Sequence, residues 1–264
     1  MSIPEKPDAR PTFRSPAVQS PATKERPKPG WNDMAEDIFG LSLRGLTTLR
    51  DILVRPAKVF EAARAPDWKS RYTPSIRLAT SLVALMLLLR FFWAGKESAM
   101  FQSVLAQINQ LARTGADIPD PATLATNYFN AWVLVFPVVY LAVHFLFALL
   151  LRIWGKEAST VTRLRLYFIA LIPGLLVATI SLLAIPLAGV ENLFALSAAY
   201  MGACALAYGL GAYFGLKDVY IDRTGRLWRA LVFVGAALTA DTVASLLSSV
   251  LGSALGTLVT LPAS

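Results

Sequence analysis

This 264-residue chain has one cysteine, Cys204, and one histidine, His144. One thiol excludes an internal disulfide and a cysteine-built zinc cluster, and one imidazole excludes the two-histidine helix of zinc proteases. Cys204 lies inside an apolar stretch, where a thiol reads as a small packing residue. Charge is scarce too. Only 16% of residues are charged and 55% are hydrophobic, with a mean hydropathy of +0.53, whereas soluble chains carry about 25% charged residues. An ordinary soluble domain is excluded, and the length suits one helical unit with tails. The chain also lacks a Walker loop, a GxSxG elbow and the paired intramembrane aspartates of membrane proteases. Asp222-Arg223-Thr224-Gly225-Arg226 reads as a tight turn with a basic flank. No catalytic residue, cofactor or metal is expected, and the chain reads as a non-enzyme.

Five long apolar stretches remain, at about 75–93, 131–151, 166–188, 194–216 and 230–257. A ~30 Å hydrocarbon core takes ~20 helical residues, so each is long enough to span it. The expected fold class is all-α, a polytopic transmembrane bundle of five spans. Trp132 and Trp154 bracket the second span as interfacial aromatics. Only Glu191 and Asn192 separate the third span from the fourth, which makes them a tight helical hairpin. Between the first two spans, Met100, Phe101, Val104, Leu105, Ile108 and Leu111 form an amphipathic stripe, expected on the exterior face.

Ahead of the first span, residues 1–30 hold seven prolines and no apolar h-region, so they read as a disordered basic tail. The first span is then expected to be an uncleaved anchor. Residues 31–74 are a surface-lying amphipathic segment in which Leu43, Leu46 and Leu53 are candidate anchors, interrupted at Pro56. Its apolar stripe suits either the membrane surface or the ends of the chain's own spans.

The net charge of +8 falls mainly before the first span and in the loops, so anionic lipid headgroups account for it better than nucleic acid. Lys24, Arg26 and Lys28 extend that basic region into the tail. Fourteen Lys and Arg precede or include Arg77. Two, Lys96 and Arg113, follow in the next loop, and four, Arg152, Lys156, Arg163 and Arg165, in the third. The loop at Glu191 has none, the last loop has Lys217, Arg223, Arg226 and Arg229, and the 258–264 tail is uncharged. By the positive-inside rule the amino terminus is cytoplasmic and the carboxyl tail exterior. A bacterial inner membrane suits this pattern, with a eukaryotic endomembrane as the alternative.

Three ionisable groups fall within spans, where each charge costs roughly 2.5–3.5 kcal/mol on insertion scales. Arg90 is near enough to the outer end of span one to snorkel. His144 and Asp241 lie at matching depths, ~12 and ~16 Å from the cytoplasmic ends of spans two and five. They are a candidate polar pair in which Asp241 accepts from the imidazole, with Tyr208, Thr239 or Ser245 assisting. The pair reads either as a structural clasp or as a proton or ion relay. Ala240, Ala244, Ser248, Gly252 and Gly256 form a row of small residues along span five. That row suits packing against span four, where Ala207, Gly211 and Gly215 form a similar row, or a homodimer seam.

Arg55-Pro56-Ala57-Lys58-Val59-Phe60 ahead of the first span and Leu171-Ile172-Pro173 within the third resemble motifs of the Yip1-like superfamily of membrane proteins. Over about residues 45–255, the resemblance implies five spans, a cytoplasmic amino-terminal region and a short exterior tail. Eukaryotic members act in membrane traffic with small GTPases and shape membranes, while bacterial relatives have no settled role. The leading expectation is a non-enzymatic scaffold or membrane-organising protein acting through partner or lipid binding. The alternative is a small transporter or channel with a polar path at His144 and Asp241, and an intramembrane enzyme is a distant third.

Overall fold

The computed structural model describes residues 43–89, 94–115, 118, 120–155, 158–183 and 190–260. Arg90, Pro186 and the proline-rich tail lie outside these residues. Regular structure among the described residues is helical throughout. In chain order it comprises α1 (Leu43–Val54), α2 (Pro56–Arg64), α3 (Trp68–Arg71), α4 (Ser75–Leu88) and α5 (Ala99–Arg113). There follow α6 (Pro121–Leu150), α7 (Thr160–Leu182), a 3₁₀ turn at Val190–Asn192, α8 (Leu193–Gly215) and α9 (Arg223–Thr260).

Local chemistry sets several boundaries. Proline cannot continue a helix but starts one well, so α1 stops at Val54 and Pro56 opens α2, with Arg55 non-helical between them. At α6, the Asp120 carboxylate accepts from the Ala122 and Thr123 amides at 3.0 and 3.2 Å, and Pro121 takes the first helical position. The Thr123 hydroxyl and these amides hold the exposed Asp120 carboxyl below its ordinary range. The helix therefore begins ten residues before the expected apolar span at Ala131. Ser159 caps α7 in the same way, through the Thr162 amide at 3.2 Å, so that helix starts at Thr160 rather than near Leu166.

Helices α6, α7, α8 and α9 are long and apolar enough to cross a membrane; α4, with 14 residues, is a shorter apolar helix. At ~1.5 Å per residue α4 is about 21 Å long, against a core of ~30 Å. Residues 90–93 of the expected first span lie outside the described chain.

Helix α7 is the hub. Every residue from Leu166 to Leu175 is buried, so the helix is apolar and covered on all sides. Helices α1, α2, α4, α6 and α8 pack around it. Around the outside, apolar side chains stay uncovered: Leu134 and Val138 on α6, Phe194 and Leu206 on α8, and Leu246 and Val250 on α9. An uncovered apolar surface on this scale marks a face built for lipid or protein contact.

The small-residue row of α9 has its partner within the chain. Ala240, Ala244, Ser248, Gly252 and Gly256 are all buried. A Cβ on Gly252 would stand 3.2 Å from the Trp132 Cα, and one on Gly256 would stand 3.0 Å from the Tyr128 nitrogen. Both meet the backbone of α6, the pair with the most extensive contact in the molecule. The seam thus faces the second apolar stretch rather than the fourth, and within one chain it is occupied rather than open for a second copy. The row on α8 also faces elsewhere: Gly211 lies against Pro173 of α7, and Gly215 against the Phe60 ring of α2.

Trp154 is also a correction. It is 1% exposed and packs on Phe60 and Phe233, with ring centroids 5.9 and 5.5 Å away. It is a core residue rather than an interfacial aromatic. Trp132 is half-buried and stacks on Phe136 at 4.4 Å.

Candidate functional site

Among the described residues, facing polar side chains meet at the joint of α6, α7, α8 and α9. His144 is wholly buried, and its Nε2 lies 3.0 Å from Asp241 Oδ1. Its Nδ1 lies 2.9 Å from the Tyr167 hydroxyl on α7. The Tyr208 hydroxyl on α8 donates to Asp241 Oδ2 at 3.0 Å. Tyr140, one helical turn before His144, lays its ring against the imidazole with centroids 4.2 Å apart. Four helices thus contribute a side chain each to one network, with Tyr140 as a second group from α6.

The protons can be assigned from chemistry. Asp241 as a carboxylate has only acceptors, so Nε2 and the Tyr208 hydroxyl both donate to it. A neutral imidazole protonated at Nε2 then leaves Nδ1 as an acceptor, which the Tyr167 hydroxyl fills. Every member has a partner in this arrangement, as a buried polar network requires. Asp241 is the member that reaches the outside: its side chain is 24% exposed, against 0% for His144.

Close packing of rings shapes the site. Tyr208 can approach α7 because residue 174 is glycine: a Cβ there would stand 1.9 Å from the Tyr208 ring. Phe233 packs edge-on against both Tyr167 and Tyr208, at 5.4 and 6.0 Å. Cys204 is buried, and its thiol donates to the Gly174 carbonyl at 3.7 Å, in keeping with a packing role.

Of the candidate residues, His144 and Asp241 are brought together and Tyr208 joins them. Thr239 does not, since its hydroxyl donates to Gly235 of its own helix at 2.7 Å, and Ser245 lies on an exposed face. Tyr140 and Tyr167 were missed. The four-residue spacing from Tyr140 to His144 was a readable signal; nothing in the sequence pointed Tyr167 at the same spot.

The amino-terminal helix pair is a second feature. Thr48 and Ile52 of α1 are buried, and the Thr48 hydroxyl accepts from the Thr73 amide at 3.0 Å. Tyr72 donates to Asp51 at 3.0 Å, and burial together with that carboxylate raises the phenol above its ordinary value. Phe60 of α2 is 1% exposed and fills the notch at Gly215. Arg64 donates to the carbonyls of Phe60 and Trp154, at 3.0 and 3.4 Å, and burial lowers its guanidinium. The opposite face of α1 is uncovered. Leu46 is 52% exposed and Leu53 49%; Val54, Arg44, Arg50, Arg55 and Lys58 of the same segment are exposed too. Leu43 opens this helix, and its side chain lies outside the described set. The segment therefore has two faces: Thr48 and Ile52 pack inward, while Leu46 and Leu53 point away.

Among the described residues no group of three or more His, Cys, Asp or Glu could hold a metal ion. No family model, curated protein or solved structure matches the chain.

Proposed function

We propose that the chain is an integral membrane protein of Yip1-like type, a non-enzymatic scaffold or membrane-organising protein that acts through its amino-terminal helix pair. The observation that carries this reading is α1 itself. It is held inward by Thr48 and Ile52, with Phe60 of the adjoining α2 in the Gly215 notch, yet presents Leu46, Leu53 and Val54 outward. Arg44, Arg50, Arg55 and Lys58 of the same segment are exposed as well. Leucines flanked by arginines suit the boundary between acyl chains and anionic headgroups. Four membrane-length helices support an anchor for the pair beside the bilayer, and in this reading the shorter α4 is the fifth crossing. The charge distribution supports a cytoplasmic position for the pair and a bacterial inner membrane as its location.

The transport alternative has one observation in its favour, the partial exposure of Asp241. The rings of Tyr140, Tyr167, Tyr208 and Phe233 pack closely around the rest of that cluster, which supports the scaffold reading over a continuous polar path.

The test places an environment-sensitive fluorophore at position 53 of the full chain carrying Cys204→Ser. The protein is reconstituted in nanodiscs of zwitterionic or mixed anionic lipid. The expected result is a blue-shifted, lipid-quenchable probe in anionic discs, reversed by Arg44→Glu with Arg50→Glu. A probe that stays aqueous in both lipids would overturn the reading.

A further inference from the structure

We propose that His144 and Asp241, read out by Tyr167, form a proton-binding site at the meeting point of α6, α7, α8 and α9. The inference is independent of what α1 touches. It begins with a charge count. Among the described residues, the titratable groups facing the pair are Tyr140 on α6, Tyr167 on α7, Tyr200, Cys204 and Tyr208 on α8, and the carboxylate of α9 itself. All but Asp241 and His144 are neutral weak acids. With Asp241 ionised and His144 neutral, the cluster carries one uncompensated negative charge in apolar surroundings, a costly state. One added proton brings it to zero.

That proton belongs to the pair, as either a neutral acid beside a neutral imidazole or a carboxylate beside an imidazolium. The hydrogen bonds distinguish loaded from empty. In the empty site Nε2–H donates to Asp241 and Nδ1 accepts the Tyr167 proton across 2.9 Å. In the ion-pair form a new Nδ1–H bond exists and both ring nitrogens donate. The Tyr167 oxygen then becomes the acceptor, and its own proton must leave the imidazole. In the neutral-acid form with its proton on Oδ1, that proton points at Nε2 and Nδ1 again carries the hydrogen. Either way, loading reverses the bond to Tyr167.

Tyr167 is 0% exposed and sits in the central helix α7, on which α1, α2, α4 and α8 also pack. A phenol that loses its acceptor in such surroundings leaves a buried donor unpaired, so loading the site acts directly on the packing of the hub. Asp241 is the less buried of the two, at 24% against 0% exposure, and lies one hydrogen bond from the sealed imidazole.

The experiment uses the fact that His144 is the chain's sole histidine, so histidine-selective ¹⁵N labelling gives two imidazole nitrogens and no overlap. The full chain in nanodiscs is followed by NMR from about pH 5 to 8, the window in which histidine charge changes are ordinarily found. The expected result is a single proton uptake in which Nδ1 passes from acceptor to donor. In Asp241→Asn, which removes the carboxylate partner of Nε2, that uptake is expected to be lost from this window. Tyr167→Phe, which removes one hydroxyl, shifts the Nδ1 resonance and its midpoint. Nitrogen shifts that stay constant across the window in the unmodified protein would overturn the proposal and leave a structural clasp. So would a titration identical in the parent chain and in Tyr167→Phe. The reading on the unmodified chain needs no variant to fold.

Discussion

Gly174 shows how one missing side chain determines the polar cluster. Its Cβ position lies 1.9 Å from Cε1 of Tyr208, a ring that is 2% exposed and packed against Phe233 at 6.0 Å. A buried ring hemmed in on both sides cannot swing clear, so Gly174→Ala forces α7 and α8 apart or pulls the Tyr208 hydroxyl from Asp241. Overpacking of this kind costs about 1–3 kcal/mol. Gly202, on the same helix as Tyr208, has nothing within 4 Å of its Cβ position. Thermal unfolding in detergent is expected to show Gly174→Ala clearly less stable than the parent chain, and Gly202→Ala unchanged or slightly more stable. Equal stabilities would mean that the tyrosine has another place to go.

The same logic decides which helices pair. Along α9, Gly252 and Gly256 let the backbone of α6 approach to within 3.2 and 3.0 Å of where a Cβ would be. The Tyr128 hydroxyl and Ser249 Oγ lie 3.4 Å apart across the same seam. Gly235 is on the same helix but has open space around it. Gly252→Ile is therefore expected to separate α6 from α9 and lower the melting temperature by several degrees. Gly235→Ile should leave it nearly unchanged. A homodimer seam would behave differently: Gly252→Ile would then change the oligomer size in detergent without reducing the stability of a single chain.

For the molecule as a whole, the question is how the helices thread the membrane. Helix α6 is 30 residues, about 45 Å, so its two ends reach opposite sides of a ~30 Å core if it crosses. On the positive-inside expectation Arg152 lies on the inner side and Gly115 on the outer. With Cys204 replaced by serine, a cysteine introduced at 115 is expected to react with an impermeant thiol reagent added outside intact cells. One at 152 should react only after the membrane is opened. Labelling of both from one side would overturn this topology.

Much of this organisation was legible in the chain before any contact was known. Long apolar stretches determined the membrane-length helices, because no soluble packing hides that much hydrocarbon. Matching depths of the only histidine and of Asp241 brought that pair forward, because an ionisable group in an apolar stretch needs a partner. The amino-terminal ends of α6 and α7 extend beyond the apolar stretches. They are set by Asp120 and Ser159, whose caps start each helix in polar sequence before the apolar run begins. What only the tertiary structure decided was facing. Small residues every fourth position announce a close approach but not the helix that makes it, so α6 rather than α8 as the partner of α9 could not be read from the row. Trp154 is identical in type to an interfacial anchor, and only its surroundings make it core. Periodicity tells which residues share a face of one helix; which neighbour that face meets depends on the rotation and packing of all the others.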